Sequence, residues 1–404
     1  MSKHDIIFIA ADPWEYYRWR RRHHIAWNLA KNNKVLFVEP PLTVIQPFRD
    51  IDLNWKHLLN LGRLKYKGGN LYSYSPVRFF PLSLPGSERF GYYERDKKRI
   101  FKILKNIIRK LEFKNPILWV YFSEYQYEYY GLFNEKITVA DWFDKYTAPA
   151  QRKPLQSFVD KQRDREDRIL NEADIVFAVS EALAADIEPR NNNVHVIHQG
   201  VDFNKFNIEI DENDKRLKQI GYIKRPTMGF LGIMHFTVDY DLLNHIAEKK
   251  PQWSIMLIGR KWLGDKVDID CFQKLVNRKN VFYMGELEDD LVSIYMKHVD
   301  VCLMPMKKIE FNRCAAHLKI WDYMALGKPI VAVNQGIKFD CNEFIKVANT
   351  KERFVEAIAE VLEEERQNGE LLVKTRKEIA MHNSWENRVN QMMEIIDSHL
   401  NDKH

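Results

Sequence analysis

The sequence predicts an α/β protein built from two doubly wound domains that face each other across a cleft. Three observations carry that prediction. A chain of 404 residues exceeds one ordinary core and suits two domains of about 200 residues each. Short apolar runs alternate with longer helical stretches, the pattern of a parallel sheet wrapped by helices. The alternation comes in two series with a polar stretch between them, and a cleft between two such domains is the default place for a ligand.

In chain order, the first series of strands is Ile6–Ala10, Val35–Val38, Ile117–Phe122, Ile137–Ala140 and Ile175–Val179. The second is Thr227–Leu231, Ser254–Ile258, Val281–Met284, Val301–Pro305 and Ile330–Val333. Residues 201–225 are polar and charged without sustained apolar periodicity, so the hinge is expected there. Helical stretches at Phe354–Glu365 and Ser384–Leu400 close the chain, the second with Ser384 and Glu386 near its start as capping candidates. These readings divide the chain into residues 1–202, 203–380 and 381–404.

Composition narrows the function classes. An apolar fraction of 45% with 13% aromatics supports two full cores and argues against disorder. Cys271, Cys302, Cys314 and Cys341 lack the spacing of a zinc clamp or a redox pair and read as reduced thiols, Cys302 and Cys314 near the core. Residues Met1–Ala10 form a strand pattern rather than a secretory leader, and no run approaches the ~18 apolar residues of a membrane helix. The expected location is the cytoplasm, or the inner face of the membrane as a peripheral protein. A net charge of +6 is too mild to argue for nucleic acid. Residues 86–115 concentrate 10 basic against 4 acidic side chains, with Ile100, Ile103, Leu104, Ile107, Ile108 and Leu111 along one helical face. Such a stripe either packs on a sheet or docks on a membrane surface.

The run His317-Leu-Lys-Ile-Trp-Asp-Tyr-Met-Ala-Leu-Gly-Lys-Pro-Ile-Val-Ala332 reads as a helix ended by Gly327 and followed by a strand. Lys319 and Asp322 share one face of that helix. An ammonium there can neutralise a diphosphate beside backbone N–H groups, and a carboxylate one turn later can accept both ribose hydroxyls. The bare spacing fits a surface ion pair equally well.

The surrounding residues resemble the P-x-K-x-x-E-Y-x-A-x-G-x-P-V-V-A signature of GT-B glycosyltransferases, with His317 in place of Pro and Asp322 in place of Glu. Ala173-Asp-Ile-Val-Phe-Ala-Val-Ser180 and Val196-Ile-His-Gln-Gly-Val-Asp-Phe-Asn-Lys-Phe206 resemble further blocks of that superfamily, and Asn383-Ser-Trp-Glu-Asn-Arg388 looks like the start of its last helix. The pattern is most similar to teichuronic-acid-type transferases and, more distantly, to the glucuronosyltransferase of xanthan assembly. The resemblance implies two Rossmann-like domains, a terminal helix crossing back to the first, and transfer of a sugar from a nucleotide-sugar to a glycan or lipid-linked acceptor by an enzyme of the hexosyltransferase class. A UDP-sugar is the expected donor, no cofactor or metal is expected, and the basic first domain is where membrane contact would fall.

The same resemblance implies roles for particular residues. Asp144, in Val139-Ala-Asp-Trp-Phe-Asp144, aligns with the general base, with Asp141 as its neighbour. Two such Asp after a strand also serve as helix caps. Donor contacts fall at Met234, Glu286, Leu318, Lys319 and Asp322, with Met234 and Leu318 equally readable as core. Retaining relatives carry two glutamates eight residues apart, and the position eight before Asp322 is Cys314. That departure favours inversion, with Asp144 taking the acceptor proton and Lys319 stabilising the leaving diphosphate. The Arg and Lys pair that many relatives place on the diphosphate is also absent, and Arg260 is the candidate substitute.

After the first strand, the run from Asp12 to His24 supplies Asp12, Trp14, Arg18, Arg21 and His24 as candidates for an anionic acceptor, since Trp stacks on sugars and Arg or His meets phosphate. The plainer reading makes the Arg cluster the wet face of the first helix, with Trp19 or Trp27 in the core. The aromatic run Tyr121–Tyr130 divides in the same way between stacking platform and packing surface. No G-x-G-x-x-G follows a strand, which excludes a nicotinamide enzyme of the usual pattern, and zincin, serine-hydrolase and P-loop motifs are missing. A nucleotide-sugar epimerase of the same fold and a non-catalytic scaffold remain as the alternatives.

Overall fold

The computed structural model describes residues 3–15, 19–43, 59–79, 91–121, 126–145, 156–207, 214–315, 319–336 and 341–402. The strands of the first domain are β1 (Asp5–Ile9), β2 (Lys34–Val38), β3 (Leu42–Thr43), β4 (Leu64–Gly68), β5 (Leu71–Tyr74), β6 (Val77–Arg78), β7 (Ile117–Tyr121), β8 (Ile137–Trp142), β9 (Ile175–Ala178) and β10 (Val194–Val196). Eight of them form one sheet in the order β10-β9-β8-β7-β1-β2-β5-β4, in which only the β4–β5 pair is antiparallel. Every residue of β7 and β8 is buried, as expected of central strands covered on both faces.

The second domain contributes β11 (Thr227–Leu231), β12 (Ser254–Ile258), β13 (Val281–Gly285), β14 (Val301–Met304), β15 (Ile330–Val333) and β16 (Ile345–Ala348). They form a parallel sheet in the order β13-β12-β11-β14-β15-β16. In each sheet the strand order reverses at the domain's opening strand, β1 between β2 and β7, and β11 between β12 and β14. Open α/β sheets bind ligands outside the carboxyl ends of strands at such switch points.

The basic helix, Tyr92–Lys110, spends its apolar stripe on the first sheet. Ile100, Leu104, Ile107 and Ile108 are buried with Ile7, Ile9, Leu36 and Val120, so the stripe is not free to enter a membrane. No helix among the described residues is long and apolar enough to cross one. Cys302, Cys314 and Cys341 are buried free thiols, and Cys271 is partly exposed.

The helix Lys351–His382 runs well past the expected end at Glu365, bending at Asn368, where φ is −133°. The last helix, Trp385–Asp402, crosses back to the first domain. Trp385, Val389, Met392 and Ile396 lie on one face and join a core with Phe8, Phe37 and Trp119. Where the chain crosses, Val201 N–H donates to Asn383 O at 3.1 Å and Trp385 N–H to Val201 O at 3.2 Å. A Cβ on Gly200 would lie 2.8 Å from Trp385 N, so the close approach of the two crossings requires glycine.

Candidate active site

On the second domain the site forms where β11, β12 and β13 end. Gly232 N–H donates to Ile258 O at 2.9 Å and Gly259 N–H to Gly285 O at 2.7 Å. Gly232 has φ 151° and Gly259 φ 140°, and a Cβ on Gly259 would fall 2.0 Å from Gly232 O. The three strand ends are therefore stitched at backbone distance, which side chains at these glycines would prevent.

Lys319 opens the helix Lys319–Ala325 beside this stitch. Its Nζ lies 4.5 Å from the centroid of Phe230, and a Cβ on Gly232 would stand 3.0 Å from it. Asp322 follows one turn later. Neither the ammonium nor the carboxylate has a hydrogen bond or ion pair among the described residues. Burial lowers Lys319 to about 8, against the pull of Asp322. Burial likewise raises Asp322 to about 7, against Lys205 and Lys319. Lys205 comes from the hinge helix Phe203–Phe206 and pairs with Asp289 at 2.7 Å. Its place beside Asp322 is set by the crossing of two segments far apart in sequence, a relation that local pattern does not carry.

Other donor candidates divide. Met234 is fully buried in the core of the second domain, and only its backbone reaches the loops, through Arg260 O at 2.9 Å and Trp262 N–H at 2.9 Å. Of the two roles left open for Met234, its side chain takes the core one. Arg260 lies over the ring of Trp262 at 5.5 Å, and Trp262 is itself 60% exposed. Glu286 is exposed just past β13. Leu318 lies outside the described residues.

On the first domain, Asp141 at the end of β8 and Asp144 just after it part company. Asp141 is fully buried, accepts Arg21 Nε at 3.0 and 3.1 Å, and takes the hydroxyl hydrogen of Tyr121. It is a satisfied core ion. Asp144 is half-buried, with no hydrogen bond or ion pair among the described residues. Burial raises it to about 6, against the pull of Arg22 and Arg20. A carboxylate at that value is ionised at neutral pH and can accept a proton.

The acceptor candidates are rearranged. Arg21 and Arg22 are buried. Arg21 holds Asp141 and also donates to His198 O at 3.2 Å, while Arg22 pairs with Asp12 at 2.8 Å and covers the rings of Tyr121 and Phe143. Arg21 is therefore corrected from acceptor ligand to internal ion pair. Trp14 is 7% exposed in the core and offers no stacking face, a second correction. Trp19 and Trp27, one of which the plainer reading put in the core, are 39% and 41% exposed. The first helix, Arg21–Leu29, thus turns Arg21 and Arg22 inward, because Asp141 and Asp12 need cations, and Trp27 outward, beside Trp19 of the segment before it. His24 stacks on Trp385, with centroids 5.2 Å apart and planes 6° from parallel, and burial lowers it to about 3, leaving it neutral. Arg18 lies outside the described residues, as do 122–125 of the aromatic run. In that run's described part, Tyr129 packs in the core.

Comparison with known proteins bears on the fold and on the class of the second domain. Residues 225–364 match the family described as "Glycosyl transferases group 1". Over 211 residues the chain is 26% identical to TuaH of Bacillus subtilis, described as a teichuronic acid biosynthesis glycosyltransferase, covering 50% of this chain and 52% of that protein. The match thus spans about half the length of this curated relative. Among solved structures, sucrose-phosphate synthase from Thermosynechococcus elongatus superposes with a TM-score of 0.70 at 15% identity, covering 98% of this chain and 99% of the other. HepE of Anabaena, solved in complex with UDP and glucose, gives a TM-score of 0.66 at 14% identity, covering 98% of this chain and 100% of the other. The fold is GT-B, two Rossmann-like domains with a returning terminal helix. The domain over residues 225–364 is a glycosyltransferase group 1 domain.

Proposed function

We propose that the chain is a glycosyltransferase that moves a sugar from a UDP-sugar to a glycan or lipid-linked acceptor with inversion, using Asp144 as general base. The observation that carries this reading is the pair Lys319 and Asp322. Two half-buried, oppositely charged groups stand one turn apart beside the bare backbone of Gly232, and neither has a hydrogen bond or ion pair among the described residues. Burying unpartnered charge is costly, and a nucleotide diphosphate compensates both groups at once. The ammonium meets the diphosphate and the carboxylate accepts ribose hydroxyls. HepE, a structural neighbour, has been solved with UDP-glucose, which supports the choice of nucleotide.

In the proposed reaction Asp144 accepts the acceptor hydroxyl's proton as the oxygen forms its bond to the anomeric carbon. The bond from that carbon to the diphosphate breaks, and the electron pair leaves with the nucleotide, where Lys319 offsets the developing charge. The buried Cys314 puts no carboxylate near the sugar from that position, in line with a single displacement.

Titration calorimetry of UDP and GDP against wild type and Lys319→Ala tests the donor site. Micromolar binding of UDP, weakened at least about tenfold in the variant by loss of a charge-assisted contact, is the expected result. Equal affinity of both proteins for UDP would remove Lys319 from the site.

A further inference from the structure

Away from the hinge crossing, the two domains meet where the chain leaves β8. Lys145, the residue after Asp144, donates to Asp186 Oδ1 at 2.9 Å in its own domain and to Glu310 Oε1 at 2.6 Å in the second. The Lys145 side chain is 16% exposed and that of Glu310 48%, so the lysine end of the pair is sheltered while the carboxylate faces solvent. Four residues beyond Glu310, the Cys314 carbonyl accepts the hydroxyl of Ser180 at 2.9 Å. Cys314 itself is fully buried, and it packs with Ala140, Trp142, Val179 and Leu183 of the first domain. The short helix Glu310–Cys314 is thus docked on the first domain by an ion pair at one end and by a buried hydrogen bond and apolar contact at the other.

Both ends of this contact adjoin the site. Lys145 follows Asp144 directly, and Cys314 precedes Lys319 by five residues. Asp144 has no hydrogen bond or ion pair among the described residues to hold its carboxylate, so its place relative to the donor helix depends on the backbone that Lys145 anchors. Transfer between bound groups is sensitive to that separation, because a misplacement of about 1 Å can cost about 100-fold.

We propose that Lys145, Glu310 and Cys314 form a latch across the cleft, in which Lys145 and Glu310 are positioning residues that set the distance from Asp144 to the donor helix. The proposal deepens the transferase reading and rests on it. An isolated exposed ion pair would contribute little, but this one acts beside a buried hydrogen bond and the buried apolar contact of Cys314.

The test uses the full chain with Glu310→Lys and Glu310→Asp. Glu310→Lys sets like charges face to face and should open the cleft, read as a larger radius of gyration by small-angle X-ray scattering. With it, kcat should fall about 10- to 100-fold, while UDP affinity stays within about twofold because the donor contacts lie in the second domain. Glu310→Asp should restore most of both. A scattering curve of Glu310→Lys that superimposes on wild type overturns the latch. Wider separation with unchanged kcat overturns the positioning role. A wild type that binds UDP yet transfers no sugar removes the transferase reading instead, and scattering then still decides whether the latch exists.

Discussion

Asp144 and Asp141 lie three residues apart in one strand exit, yet they have opposite environments. Asp141 is paired with Arg21, accepts the hydroxyl of Tyr121 and belongs to the core. Asp144 is left unpaired and raised to about 6 by burial. Because that shift destabilises the charged form in the folded state, Asp144→Asn should raise the urea midpoint at pH 8, with a gain of about 1 to 2 kcal/mol, while transfer falls by at least about 100-fold. UDP affinity should stay within a few-fold. A variant that retains full transfer would exclude Asp144 as the base, and one that loses stability would show that its carboxylate has a partner after all. The family resemblance singled out Asp144, but the residues alone did not show why Asp141 is held in the core, since the deciding groups, Arg21 and Tyr121, come from the first helix and the end of β7. Lys319 and Asp322 were legible because both sit in one contiguous run. Trp14 and Arg21 were misplaced, and Met234 was left between two roles, because a residue beside a functional loop can turn to either side of it, and local pattern does not fix which.

Among the elements, those with strong periodicity were read close to their ends, such as β11, β12 and β15, whose bounds match the expectation. The strands β4, β5 and β16 were not read. Lys65, Tyr66 and Lys67 break up β4, Ser73 interrupts β5, and Lys346 interrupts β16. As edge or near-edge strands they carry polar residues that blur the apolar signal. The first helix shows the limit of amphipathic reasoning, since buried ion pairs reversed which face was wet. The terminal helix is the element on which the crossing depends. Trp385 is 3% exposed, stacks on His24, lies 5.9 Å from the Arg21 guanidinium and backs Gly200. Trp385→Ala should cost about 3 to 5 kcal/mol, measured by urea unfolding. It should also expose the 383–402 segment to protease before the second domain unfolds. Unfolding in a single step at the wild-type midpoint would mean that the helix contributes little to the first domain.

Across the whole molecule, the groups proposed to act on the donor and acceptor share one electrostatic condition. Asp144 at about 6 and Asp322 at about 7 are raised by burial and Lys319 is lowered to about 8, and outside the site burial also raises Glu166, beside Arg190, to about 7. For the three carboxyls the folded state binds protons more tightly than the unfolded chain. Their contribution to stability is complete below about 4 and is lost as pH rises through about 6 to 7. For Lys319 the folded state binds its proton less tightly, so its contribution is absent below about 8 and grows toward about 10. The four groups together therefore favour folding least between about 7 and 8, where Asp144 and Asp322 are ionised and Lys319 is still charged. That is the protonation state the proposed reaction requires, and a nucleotide that compensates these charges should stabilise the protein most in the same window. The increase in thermal midpoint caused by saturating UDP should accordingly peak between about pH 7 and 8. It should decline on the acid side as Asp322 takes up a proton and on the alkaline side as Lys319 loses one. In Lys319→Arg the alkaline decline should vanish, since guanidinium keeps its charge throughout, and in Asp322→Asn the acid decline should vanish. A UDP-induced shift that stays constant from pH 5.5 to 9 in wild type would separate nucleotide binding from these two residues and undo the charge-compensation argument for the site.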